Sequence, residues 1–206
     1  MAIPFALAVV LASQTASWAN TTHDETTGGG GGTTESTSAT TRAEAAIQAP
    51  TDVMVADLPG GHWATNATQW AVANNILALE NGQFMGNEEL SSADLNQAME
   101  SLVNIAETIQ GKGALPDLRA AIGTIPTTDA AVTRIQIAQT LARFLDVAKS
   151  HQLLALGAIT PSASGFKDLG TQVPAAVTKV VDQYGVMTGY KEYTFKPQEQ
   201  VTRYQM

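Results

Sequence analysis

The chain has 206 residues, is 44% hydrophobic and 15% charged, and carries a formal charge of -8 with a pI near 4.7. That length holds one or two domains with a real core. The acidic balance and lack of a basic stripe argue against nucleic-acid binding, and the absence of cysteine excludes disulfides, a thiol nucleophile and a cysteine-based zinc site.

Residues 3–12 of "MAIPFALAVVLASQTASWAN" are nearly all apolar, too few to span a bilayer. Small residues stand three and one positions before a cut after Ala19, so residues 1–19 resemble a secretory signal peptide, without the usual Lys or Arg near Met1. The alternative is a short buried apolar segment. Residues 20–51 begin Thr/Ser/Gly-rich and cannot bury enough surface to offset the entropy of ordering, which predicts a disordered, low-complexity linker. The Gly28–Gly32 run is no phosphate loop, because no Gly-Lys-Ser/Thr follows it.

From residue 52 the composition is globular and mostly helical. A short helix is predicted over 63–74, with Trp63, Ala67 and Trp70 on one face. A longer one is predicted over 92–110, where Leu95, Ala98, Met99, Leu102, Ile105, Ala106 and Ile109 recur at helical spacing. Ser91 and Asp94 form an approximate capping box at its start. The same spacing in Ile135, Ala138, Leu141, Phe144, Leu145 and Ala148 predicts a helix over 134–149. A fourth is predicted over 174–184, with Pro174 at its start and Val177, Val180, Val181 and Tyr184 on one face. No segment alternates long enough to predict a strand.

The sequence also repeats. Asp57 and Asp168, Phe84 and Phe195, and Leu90 and Val201 are each 111 residues apart, so the two blocks overlie without a gap. Each reads as an Asp-Leu start, a helix, a tight turn, an aromatic, and an apolar residue before a second helix. A candidate middle unit starts at Asp117-Leu118 and ends at Val132-Thr133-Arg134. It spans 15 positions from Asp to the apolar residue, against 33 in each outer block, and is therefore compressed.

Asp168-Leu169, Gly185-Val186-Met187-Thr188-Gly189-Tyr190, Phe195, Pro197 and Val201-Thr202-Arg203 together resemble the S-layer homology (SLH) domain. So do Asp57, His62-Trp63-Ala64 and Val132-Thr133-Arg134. The resemblance covers residues 53–206, as repeats at about 53–112, 113–150 (degenerate) and 166–206 (truncated). It implies short helix-loop-helix units, three of which form a three-pronged pseudo-trimer. It also implies a non-catalytic module that anchors an exported protein in the cell envelope, by binding acidic or pyruvylated wall polysaccharide or a peptidoglycan-linked polymer. The compartment would be the cell wall, S-layer or periplasm. A helical-repeat protein that self-assembles or binds a protein partner is the alternative, as is the anchor of a longer exported protein. The first block departs from the pattern with Ser91-Ser92 in place of Thr-Arg; the third has Val173-Pro174 in place of His-Trp.

The closing motifs have a local logic. Thr133-Arg134-Ile135-Gln136 and Thr202-Arg203-Tyr204-Gln205 are both Thr-x-x-Gln capping boxes, in which the Thr hydroxyl is worth about 1 kcal/mol. The Arg then sits at the positive end of the helix dipole, at a cost of about 0.3–1 kcal/mol. An Arg beside a helix start can hold a carboxylate. The ligand-binding candidates are therefore Thr133, Arg134, Thr202 and Arg203, with Trp63 and Tyr190 able to stack on sugar faces and Gly189 expected at a positive φ. The competing readings are that both arginines pair with a nearby carboxylate to join repeats, and that Trp63 packs in the core. Arg203 has only three residues after it, so it is expected to lack a helix to hold it, as in a truncated N-terminal piece. Asp57 and Asp168 are expected to cap a helix or turn. Thr41-Arg42-Ala43-Glu44 matches the motif by coincidence. His23, His62 and His151 lie far apart, so no metal and no cofactor is predicted.

Overall fold

A computed structural model describes residues 53–110, 113, 115–153 and 165–206. The signal-like segment, the linker and Thr41-Arg42-Ala43-Glu44 lie outside them. The described residues are mostly helical, with α1 Thr65–Ala73, α2 Ser92–Gln110, α3 Pro116–Ile122, α4 Arg134–Ser150 and α5 Ala175–Thr178. A π-helical turn, Lys179–Gln183, extends α5, and a 3-10 turn covers Arg203–Gln205. Among the described residues strand pairing is limited to isolated bridges.

The periodic stripes become the core. Leu95, Ala98, Met99, Leu102, Ile105 and Ala106 of α2 are buried, as are Ile137, Ala138, Leu141, Phe144, Leu145 and Ala148 of α4. Complete burial of each large apolar side chain contributes about 1.5–3 kcal/mol. On α1 the buried side is one residue out of phase with the predicted face: Ala64 and Thr68 are buried, and Trp63 is 55% exposed. Trp63 precedes the helix and is not the core residue that the alternative reading made it. The helix α3 has no counterpart among the predicted elements, since seven residues are too few to show a period. Pro116 opens it, Leu118 and Ile122 are buried, and Gly123 at φ 71 ends it.

The three closing segments meet around a ring of backbone hydrogen bonds. Leu90 N–H donates to Val201 O at 2.7 Å, Val201 N–H to Val132 O at 3.1 Å, and Val132 N–H to Leu90 O at 3.0 Å. All three side chains are buried. Two further bonds at each contact run the opposite way round the ring. Arg134, Arg203 and Ser92 donate their N–H to Glu199, Glu88 and Ala130 respectively, and Ile135, Tyr204 and Ala93 to Pro197, Gly86 and Thr128. Each of these acceptors stands two or four positions before a ring residue. The backbone thus treats the three segments as equivalents, although the middle one lacks the turn that precedes the others.

The outer blocks superpose less simply than a gapless shift of 111 implies. Asp57 Oδ1 and Oδ2 accept the N–H groups of Phe84 and Met85 at 2.6 and 2.8 Å; Asp168 accepts those of Phe195 and Lys196 at 2.8 and 2.6 Å. These pairs keep the 111 offset. Between them the equivalence slips to 110, with Asn75 (φ 54) matching Gly185 (φ 64) as the left-handed residue after the helix. The hairpin restores the register. Glu80 and Gln83 bracket a two-residue turn, Asn81-Gly82, whereas Tyr190 and Thr194 bracket three residues with Tyr193 at φ 59. Asp117 plays no such part, because its carboxylate accepts from Leu118 N–H and meets His151 Nε2 at 2.7 Å.

Candidate functional site

Both closing motifs form the expected capping boxes. Gln136 Oε1 accepts Thr133 N–H at 2.7 Å, and Gln205 Oε1 accepts Thr202 N–H at 2.9 Å. The arginine that follows each Thr does not point along its own helix. Arg134 is 6% exposed and crosses into the third block. There its Nε–H donates to Phe195 O at 2.7 Å and a terminal N–H to Thr188 O at 2.7 Å. The guanidinium lies 4.8 Å from the Tyr190 ring centre and 4.7 Å from that of Phe195.

Arg203 repeats this on the first block. It is 4% exposed, donates from Nε to Phe84 O at 2.8 Å and from a terminal nitrogen to Ala78 O at 2.6 Å, and lies 5.1 Å from the Phe84 ring centre. Its other terminal nitrogen meets Asp94 Oδ1 at 2.6 Å. The support that Arg203 was expected to lack comes from a block more than a hundred residues earlier. The unfavourable helix-end position is offset by charge-assisted bonds to backbone carbonyls, of which those to Phe195 and Phe84 are buried. Both arginines therefore join blocks. Where the first block has Ser92 in place of Arg, the hydroxyl bonds Thr128, its Oγ lying 3.0 Å from the carbonyl and 2.8 Å from Oγ1.

Residues 166–206 match the family model of the S-layer homology domain. The chain carries an SLH domain. No curated protein matches it, and no solved structure does. SLH domains are non-catalytic modules that anchor proteins to cell-wall polymers, and their presence indicates association with the cell envelope. Among the described residues no helix is long and apolar enough to cross a membrane, and no group of three or more His, Cys, Asp or Glu could hold a metal.

In the SLH domain Tyr190 stands at the centre of a charged cluster. Its hydroxyl donates to Glu199 Oε1 at 2.8 Å, and Lys196 Nζ lies 3.0 Å from Glu199 Oε2 and 4.4 Å from the Tyr190 ring centre. The ring is half-buried between two cations, and burial together with the Glu199 hydrogen bond pushes its phenol up. Burial lowers Arg134, an effect that the neighbouring Tyr190 and Glu199 oppose. Thr188 and Lys196 are exposed at the edge of this cluster, and Thr133 is half-buried. Gly189 is not at positive φ; Gly185 is. A Cβ at Gly189 would come within 2.0 Å of the Phe166 ring and 2.9 Å of Thr194 O, so close packing requires the glycine.

Trp63 lies at the other junction. Its ring is edge-on to Tyr204 at 6.0 Å and tilted against His62 at 5.3 Å, while Tyr204 packs on His62 at 4.6 Å and Phe84 at 5.5 Å. Tyr204 also covers Gly86, where a Cβ would fall 2.1 Å from the ring. Thr202 is half-buried beside this cluster. The structure thus brings Arg134 and Tyr190 together around Gly189, and Arg203 close to Trp63 through Tyr204. Lys196, Glu199 and Asp94 were not among the predicted site residues. Lys196 was visible as the charged counterpart of Met85 in the repeat, and Asp94 as the single acidic residue of the three capping boxes.

Three carboxyls in this region and beside it are held below their ordinary range. Burial pushes Asp57, Asp146 and Glu199 up, but their partners outweigh it: the Phe84 and Met85 N–H groups for Asp57, Lys179 and Tyr184 for Asp146, Lys196 and Tyr190 for Glu199. A depressed folded pKa adds stability that is present above the unfolded carboxyl pKa of about 4 and is lost as pH falls through the folded value. The urea midpoint is therefore expected to be level from pH 7 to 5 and to fall steadily below pH 4. A midpoint unchanged at pH 2.5 would contradict this assignment.

Proposed function

We propose that residues 53–206 form a repeat module that anchors the protein to an acidic wall polysaccharide in the cell envelope. The observation that carries this reading is the ring of closing segments. In it the closing segment of the SLH match at residues 166–206 bonds two further segments through the same backbone pattern, which supports a three-unit module. The triangular arrangement supports a pseudo-trimer in which the middle unit keeps α3 and its Thr-Arg helix but not the turn between them. Two surfaces suit a sugar. Trp63 offers an exposed aromatic face. Tyr190 and Lys196 offer a ring edge and a cation above Arg134. Thr133, Thr202 and Gly189 shape these surfaces rather than grip the polymer. The charge of -8 means that an anionic polymer must be held by such local cations.

Co-sedimentation with purified wall sacculi tests the reading. The chain is expected to pellet with sacculi and to stay in solution once acidic polysaccharide has been stripped from them. Trp63→Ala combined with Lys196→Gln removes two exposed contacts without opening the core, and is expected to weaken retention about tenfold while the protein stays folded, with only a small fall in melting temperature. Equal retention on stripped and intact sacculi would defeat the proposal in favour of a protein-binding repeat.

A further inference from the structure

The two arginine junctions are equivalent in backbone and unequal in charge. Each arginine enters the neighbouring block, and Arg203 reaches the start of the helix that follows it. For Arg203 that start is the capping box of α2, where Ser91 N–H and hydroxyl meet Asp94 Oδ2 at 3.2 and 2.8 Å and the Ser91 hydroxyl caps Asp94 N–H at 3.0 Å. With one oxygen committed to the cap, Asp94 gives the other to Arg203 at 2.6 Å. Asp94 follows the ring residue Leu90 by four positions. In the block that Arg134 enters, the residue four beyond Val201 is Gln205, which is neutral and bonded to Thr202. No ion pair among the described residues includes Arg134. Its surroundings also gain a cation, because Lys196 stands where the first block has Met85. The nearby carboxylates are otherwise engaged: Glu199 by Tyr190 and Lys196, Asp168 by two backbone N–H groups.

We infer that Asp94 is a built-in carboxylate that fills the Arg203 junction, so that an external carboxylate docks only at the Arg134 junction, beside Tyr190 and Lys196. Asp94 is then a specificity-determining residue, because it decides which of two similar surfaces an acidic sugar can use. Its carboxylate supplies at one junction the interaction that a ligand supplies at the other, and an incoming anion at Arg203 would find that place taken by Asp94. This inference rests on the anchoring reading above.

Glucuronate is the probe, titrated into the isotope-labelled full chain while the arginine Nε–H signals and the amides of Phe84, Met85, Phe195 and Lys196 are followed. In the unsubstituted protein the signals of Arg134, Phe195 and Lys196 are expected to shift saturably and those of Arg203, Phe84 and Met85 to stay in place. Asp94→Asn, which keeps the shape of the cap, is expected to make Arg203 respond as well. Gln205→Asp, which copies the internal carboxylate to the other junction, is expected to weaken the Arg134 response about tenfold. A response at Arg203 in the unsubstituted protein, no response at either arginine, or an unaltered Gln205→Asp variant would each overturn the inference. The unsubstituted titration stands even if a variant fails to fold. Sacculus binding with no glucuronate response at Arg134 sinks this inference and leaves anchoring intact; a glucuronate response without sacculus binding does the reverse.

Discussion

Arg203→Ala is expected to lower the free energy of unfolding by about 3–5 kcal/mol, the cost of leaving one partner of a largely buried pair without the other. The side chain is 4% exposed and serves three acceptors: the carbonyls of Phe84 and Ala78 and the Asp94 carboxylate. Truncation leaves all three short of a donor and opens a void against the Phe84 ring. Lysine does not restore the loss, since one ammonium cannot reproduce a planar fork that reaches three acceptors. Arg203→Met with Asp94→Leu is expected to regain part of it, because the buried charge is then removed together with its partner. Urea unfolding at a constant m-value measures the effect. A loss below about 1 kcal/mol would mean that the guanidinium is not a joint between the blocks. The same logic applies to Arg134, so a loss of wall binding in an Arg134→Ala or Arg203→Ala variant would report folding as much as recognition. The exposed residues Trp63 and Lys196 are for that reason the cleaner probes.

Leu90→Ala is expected to cost about 2–5 kcal/mol, and to cost it everywhere at once. Leu90 is 0% exposed, and its backbone supplies both a donor and an acceptor to the central ring. The lost side chain leaves a cavity where the three closing segments meet. If the segments form one cooperative unit, amide exchange will speed up equally in α2, in α4 and around Phe195. Faster exchange confined to the first block would show instead that the repeats unfold separately, each coupled to its neighbour by nearest-neighbour contacts.

These effects could not have been anticipated from local pattern alone. The helices α2 and α4 were legible to within a residue, because their apolar positions follow the helical period over four or more turns and their caps lie next to them in sequence. The Thr-Arg starts were legible for the same reason. α3 was missed because it is short. Trp63 was misplaced on the predicted helical face because that helix begins two residues later, at Thr65, and buries the side that carries Ala64 and Thr68. Gly189 was assigned a backbone role, whereas its neighbour in space, the Phe166 ring, is what excludes a side chain there. The gapless repeat concealed two compensating one-residue changes, one before Gly185 and one in the turn at Tyr190 to Thr194.

The sequence by itself determined the helical class, the boundaries of the long helices, the repeated turn and the SLH-type closing motifs, all of which depend on residues within a few positions of each other. Only the tertiary structure decided what the two arginines do. Arg134 finds Phe195 61 positions away and Arg203 finds Phe84 119 positions away, and no local pattern encodes such pairings. The difference between the junctions was decided there too. Asp94 reads in sequence as a helix cap, and becomes the partner of Arg203 because the chain closes into a ring that brings α2 to the last block.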